Sequence, residues 1–418
     1  MQSRDGRSAR ETYRFVHASG LHLDSPVRDV GGAPEALRAA LRDASLRTWD
    51  AVVESAIARE VAFVVLAGGL FDGERATLRA CVALGAGVQR LRAHAIDVFI
   101  ARTAEDMEAA PRLPLLAEGA TLFDHDRMST AYAMRDGACL ATLHVAAGAD
   151  AEARRLQSAL RPSGLGVEIG VLPQRPAAND ARGLAELLAK TGLAYWAVGG
   201  ASQYAVLQEE PPIVCAGTTQ GRGLEAAERG PKGCVLVEVD DGRVGSTELI
   251  PLDHVRFASL EVDVSACADA AAMRRLLVDA ADRVRDGAGE RLHVVEAVLC
   301  GACAARDAGD RLALERELLA DLRRAGTPER TRLWWARVRD RTSRSNRRTG
   351  AAPGDLRRIV IDRSEALDAP LPRGRFLART FAPLLRRWDA ESDLDTQREL
   401  VRDAAALALD VVEAEGPR

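Results

Sequence analysis

Nowhere in its 418 residues does the chain hold an apolar run approaching the roughly 20 residues that a membrane-spanning helix requires. Its start, Gln2, Ser3, Arg4 and Asp5, is polar where a secretory leader would be apolar, so a cytoplasmic protein without membrane contact is expected. Lysine is almost missing: Lys190 and Lys232 are the only two, and arginine carries the rest of the positive charge. With a net charge of -4 and a pI near 6.1, a uniformly basic nucleic-acid binder is excluded, and contact with phosphates would need a local patch. Cysteines number seven, an odd count, and are scattered mostly through apolar strand-like contexts, which fits reduced core thiols better than a disulfide framework. Cys300 and Cys303 form one CxxC without a second pair or a nearby histidine cluster, so small residues at a strand end are the plainer reading than zinc. No GxSxG nucleophile motif occurs, and Gly217 to Gly223 lacks the Lys-Ser/Thr ending of a phosphate-binding loop. Internal repeats are also lacking.

What is present is alternation. From Tyr13 to about Leu252, short apolar runs alternate with helix-period segments, the pattern of an α/β layered domain. Strands are expected at 13–17, 61–67, 98–101, 141–145, 167–172, 195–198 and 234–239. Helices are expected at 34–57, 76–92 and 179–190, the last capped by Asn179 or Asp180. Asp136-Gly137 and Asp241-Gly242 lie between extended runs and read as hairpin turns, so the sheets should be mixed rather than purely parallel. From Phe257 the order changes to strand 259–264, helix 270–285, strand 293–299, helix 311–324 and strand 332–338, a small α+β unit. The division expected is 1–255 for the large domain, 256–341 for a capping domain, 342–375 for a linker rich in Arg, Ser, Gly and Pro, and 376–418 for a helical segment. In that last segment Leu394, Leu400, Ala404, Leu407 and Val411 fall roughly on one face.

The most informative stretches are Gly20-Leu21-His22-Leu23-Asp24-Ser25-Pro26 after the first strand and Ala67-Gly68-Gly69-Leu70-Phe71-Asp72 after the second. Thr103-Ala104-Glu105-Asp106 follows the third strand, Pro173 ends a later one, and Tyr195-Trp196-Ala197-Val198-Gly199-Gly200-Ala201-Ser202 comes later still. In this frame the chain resembles the calcineurin-like metallophosphoesterase superfamily and, within it, the SbcD/YhaO-type DNA-repair exonuclease subunits. Gly217, Gln220-Gly221-Arg222 and Lys232-Gly233-Cys234 extend the likeness. The resemblance implies a four-layer sandwich of two mixed β-sheets flanked by helices, with a small α+β capping domain and C-terminal helices. It also implies two metal ions held by carboxylates, imidazoles and an amide at strand ends.

The ligands do not follow the frame. Carried over position by position, they fall on Gly20, His22, Gly69, Ala104, Pro173, Gly200 and Ser202, and only His22 among these coordinates a metal well. The catalytic histidine's place is taken by Glu105. A residual site would draw on His22, Asp72 and Asp106, with manganese or magnesium as its ion. The plainer reading of Asp24, Asp72 and Asp106 is that they brace the turns they sit in. His144, at a strand end, is read in the same way as a histidine satisfied by hydrogen bonds.

No catalytic residue and no cofactor is therefore expected. The reading is a DNA repair or processing subunit of exonuclease ancestry, a pseudoenzyme that scaffolds an SbcC-type coiled-coil ATPase, with DNA contact and a homodimer as further possibilities. The alternative is a metal-dependent phosphodiesterase or nuclease with a rebuilt single-metal site, and a weaker third option is a module that binds a nucleotide or phosphate in the vacated cleft. Arginines from Arg330 to Arg358 surround Trp334-Trp335, which reads either as a nucleic-acid surface or as a strand with buried tryptophans followed by a solvated linker.

Overall fold

The computed structural model describes residues 12–344 apart from positions 29, 73–75, 112, 114–116, 125–126, 147–159, 161, 176–180, 287–290, 304–310 and 326–331. The helical segment expected at 376–418 and nearly all of the linker lie outside the described residues. So do Asn179 and Asp180, the caps expected for the third helix.

The first strand, β1 (Tyr13–Ala18), is rich in aromatic and β-branched residues. It lies parallel to β2 (Phe63–Ala67), with Phe15 opposite Phe63. Parallel neighbours need a long crossover, and α1 (Glu35–Ala58) supplies it. The pattern repeats through α2 (Leu78–Ala93), β3 (Asp97–Ala101), the short α3 (Ala104–Ala109) and β4 (Thr121–Phe123). Next come β5 (Ser129–Arg135) and β6 (Ala138–Val145), the antiparallel hairpin announced by Asp136-Gly137, then β7 (Val167–Leu172), α4 (Ala181–Ala189) and β8 (Tyr195–Val198). After β9 (Ala205–Gln208) and β10 (Ile213–Cys215), the second expected hairpin forms from β11 (Gly233–Asp240) and β12 (Arg243–Pro251).

These strands build two six-stranded mixed sheets, in the orders β12-β11-β1-β2-β3-β4 and β5-β6-β7-β8-β10-β9. Their inner faces share one core, in which Phe15 stacks on Phe63 at 4.8 Å and meets Tyr195 edge-on at 5.5 Å. The outer face of the first sheet is covered by α1 and α2 through Trp49, Val52, Leu84 and Val88. Gly87 is required there, because a Cβ would lie 2.3 Å from the indole nitrogen of Trp49. The outer face of the second sheet is covered by α4 through Leu184 and Leu188. Helix, sheet, sheet and helix are the four layers expected from the sequence.

The chain divides into two compact units, and the sandwich makes up the first, which comprises residues up to 223 together with 228–257 and 290–293. The second unit carries the three-stranded sheet β13-β14-β16, from β13 (Val255–Asp263), β14 (Leu292–Cys300) and β16 (Leu333–Asp340). Its helices are α5 (Ala270–Asp286) and α6 (Arg311–Ala325), and β15 (Ala302–Cys303) pairs in parallel with β17 (Ser343–Arg344). Met273, Leu277, Leu318 and Leu322 close its core over Val295, Ala297 and Trp335. Trp334 and Trp335 are each only 5% exposed, so neither offers a stacking platform to a base. The guanidinium of Arg323 lies 4.3 Å from the Trp334 ring, while Arg337 and Arg339 both bond the buried Glu296. The described part of the arginine-tryptophan cluster thus follows its plainer reading.

Among the described residues, no helix is long and apolar enough to cross a membrane.

Candidate functional site

At one end of the sandwich the loops that leave β1, β2, β3, β7 and β8 meet. Backbone hydrogen bonds lace them together: Gly20 N–H donates to the Gly68 carbonyl at 3.0 Å, His22 N–H to Gly69 at 3.0 Å and Leu23 N–H to Leu70 at 2.9 Å. A further segment enters from residues 217–220, where Thr219 N–H donates to the Gly20 carbonyl at 3.1 Å and the Ser19 hydroxyl to the Gly217 carbonyl at 2.8 Å. Gln220 locks that segment in place, accepting from the Thr48 hydroxyl and from the His254 and Val255 amides while donating to the Val255 carbonyl.

Gly20 and Gly69 both have positive φ, +54° and +67°, where a side chain is strained. A Cβ on Gly20 would lie 2.9 Å from the Thr218 methyl, and one on Gly69 would lie 3.0 Å from the Gly20 Cα. Gly200 is equally confined, with the Arg175 nitrogen 2.8 Å from its would-be Cβ. At these three glycines, a side chain would meet neighbouring chain rather than open space.

The residual candidates are drawn apart. Asp106 is 1% exposed and spends both oxygens on backbone amides: Oδ1 accepts from Leu70 at 2.7 Å and Phe71 at 3.2 Å, and Oδ2 from Gly69 at 3.1 Å and Thr103 at 3.0 Å. It also closes a reciprocal capping box with Thr103 at the start of α3, a helix that the sequence reading took for a simple turn. Burial pushes this carboxyl up, against the pull of the amides that bind it. Asp72 pairs with Arg222 at 2.6 Å. Asp24, at φ +60°, accepts from the Thr77 hydroxyl at 2.6 Å and so ties its turn to the head of α2. Glu105, in the place of the catalytic histidine, is exposed, and Ala104 beside it carries no donor. Pro173 contributes only its carbonyl, which would sit 2.4 Å from a Cβ on Gly68. Ser202 likewise offers its carbonyl, which accepts from the Lys232 ammonium and from Thr218 N–H.

His22 remains. Its ring is pushed down to about 4, first by burial and then by the Arg222 guanidinium, against the opposing effect of Asp72 and Glu228. It is thus neutral at physiological pH, with a buried Nδ1 that has no hydrogen-bond partner. Among the described residues, no three His, Cys, Asp or Glu side chains gather closely enough to hold a metal ion. Of the residual set, Asp106 gives both oxygens to amides and Asp72 pairs with a guanidinium, while His22 stands without a second donor beside it.

Two charged groups outside the residual set also shape this end of the sandwich. Arg222 bonds Asp72 and Glu228, and its backbone N–H donates to Glu228 at 3.0 Å. Lys232, one of the two lysines, is 2% exposed, and burial lowers it to about 8. The available signal was a lone lysine directly before an apolar strand, where burial was to be expected. His17, at the end of β1, bonds the Tyr195 hydroxyl at 3.0 Å across the two sheets, and full burial pushes it down to about 3. His144 follows its plainer reading, with Nε2 2.6 Å from Glu168 and Nδ1 3.3 Å from the Thr130 hydroxyl.

Two comparisons bear on this arrangement. The family model described as metallophosphoesterase YhaO, middle domain, matches residues 257–343. An uncharacterized metallophosphoesterase, YhaO of Bacillus subtilis strain 168, is 27% identical over 289 residues, covering 65% of this chain and 68% of that protein. With the four-layer sandwich, these similarities support a place in the metallophosphoesterase superfamily. The two-ion centre implied by that superfamily does not fit the residues present, because Gly20, Gly69, Ala104, Pro173 and Gly200 offer no side-chain donor and His22 alone cannot hold two ions.

Proposed function

We propose that this chain, as a member of the metallophosphoesterase superfamily, is a non-catalytic subunit in DNA repair or processing that scaffolds a coiled-coil ATPase of the SbcC type. The observation that carries the reading is the packing at Gly20 and Gly69, where the two central ligand positions back onto Thr218 and onto each other. Phosphodiester hydrolysis by this superfamily needs ions that generate hydroxide and stabilise the leaving oxygen, and a site without donors supplies neither. What such a fold retains is shape and a partner-binding tail. The apolar stripe of Leu394, Leu400, Ala404, Leu407 and Val411 suits a helix docked on a partner's coiled coil. Contact with DNA would run through arginines and not through Trp334 or Trp335, which are buried.

The test is manganese titration by calorimetry on the purified chain, with cleavage of single- and double-stranded DNA measured in parallel. No two-ion binding and no cleavage are expected. Metal-dependent cleavage that His22→Ala abolishes would overturn the reading. A long coiled-coil ATPase should also co-purify with the full chain and be lost when 376–418 is removed; capture that is indifferent to the truncation would remove the scaffold role.

A further inference from the structure

The second unit contains a groove of about 390 Å³ whose lining has an unusual order. On one side it touches five consecutive residues of β13, from Ser259 to Asp263, and on the other Leu276, Ala280 and Arg283 of α5. A pocket lying on a sheet face meets every second residue of a strand, because successive side chains point to opposite faces. Contact with each residue in turn means that the groove runs along the strand's edge. β13 is the terminal strand of its sheet, so among the described residues that edge has no strand partner.

The side chains along this edge are sorted by face. Leu260 and Val262 point to the apolar core side that α5 covers. Ser259 bonds Glu296 on the opposite face, where alternation also places Glu261 and Asp263, both exposed. Asp263 keeps one oxygen on the Ser265 amide. Arg283 stands on the helix side and donates to the Asp279 carbonyl.

We propose that this edge is a docking site for an extended peptide segment of a partner protein, which adds to β13 as a fourth strand and alternates basic with apolar side chains. The open backbone supplies hydrogen bonds, and the alternation of the added strand matches that of the edge. Its apolar residues enter beside Leu260, Leu276 and Ala280, and its basic residues fall beside Glu261 and Asp263. Arg283 keeps positive charge off the helix side. A second copy of this chain is excluded as occupant, because antiparallel self-pairing of β13 would set Glu261 and Asp263 against their own kind. The same acids that prevent edge-to-edge self-association select a basic partner.

The experiment is fluorescence anisotropy of the full chain with a labelled Arg-Val repeat peptide, alongside the same peptide N-methylated at alternate residues and a Glu-Val repeat. Saturable binding of the Arg-Val peptide is expected, with new amide protection at 259–263 in hydrogen exchange. The N-methylated peptide should bind more than about tenfold weaker. The double variant Glu261→Arg, Asp263→Arg changes two exposed side chains and should exchange the preference, taking the Glu-Val peptide instead. No binding, equal binding of the N-methylated peptide, or unchanged preference in the double variant would each overturn the proposal.

Discussion

The loop cluster at the sandwich end and the groove beside β13 are opposites. In the first, glycines let backbone press on backbone, polar groups turn inward and a carboxylate feeds four amides. In the second, a strand edge has no strand partner among the described residues and its acids are exposed. The difference teaches that a cluster of strand-end loops can be spent on the fold's stability, while exposed charge collects at a place that the motifs do not mark.

The comparison breaks most directly at Asp106. Asp106→Ala strands the amides of Gly69, Leu70, Phe71 and Thr103, and a loss of about 4 kcal/mol is expected in urea unfolding. A loss below about 1 kcal/mol would mean that the loops hold together without it. Restoring the family's acids with Gly20→Asp and Gly69→Asp should cost about 3 kcal/mol together, from positive φ and close contact, without creating manganese affinity. If calorimetry found tight manganese binding in that variant, the cluster would count as a metal site merely lacking two residues.

Acid should act on the same end of the molecule. His17 titrates near 6.5 when unfolded and at about 3 when folded, so below 6.5 the unfolded chain takes up a proton that the folded chain refuses. Stability is therefore complete above that pH and falls as the pH drops toward 3, by about 2 kcal/mol near pH 5. Chemical denaturation across that range should show the slope, and His17→Gln should reduce it by about that amount, leaving the share that His22 contributes in the same way. At the groove, Glu261→Ala should shift unfolding by less than about 0.5 kcal/mol, as an exposed edge residue does. A larger loss would show that the edge already serves the fold.

Much of the architecture was legible in the sequence for a physical reason. Apolar runs such as 167–172 and 195–198 are buried on both faces, and their observed bounds, Val167–Leu172 and Tyr195–Val198, coincide with the expected ones. Asp136-Gly137 and Asp241-Gly242 marked both hairpins, since only such pairs accept positive φ at successive positions. Legibility failed where long-range partners decide. Thr103-Ala104-Glu105-Asp106 has the Thr-x-x-Asp spacing of a capping box, so its helix was open to a local reading, but nothing local reveals that Asp106 also meets amides more than thirty residues earlier. Arg222 likewise passed for a loop residue until Asp72 was found 2.6 Å away, 150 positions upstream. The absence of donors at Gly20 and Gly69 was plain from the sequence, but the packing of Thr218 against Gly20 and of Gly20 against Gly69 was not.

The capping box on Asp106 has a consequence for how the protein comes into being. Loops organised by ions stay incomplete after synthesis until the cell delivers the metal, and their maturation depends on that supply. Here the group that gathers the 69–71 and 103 amides is translated with the chain. These two loops can therefore gather as soon as the third strand and its helix have folded, and residues 217–220 join them later.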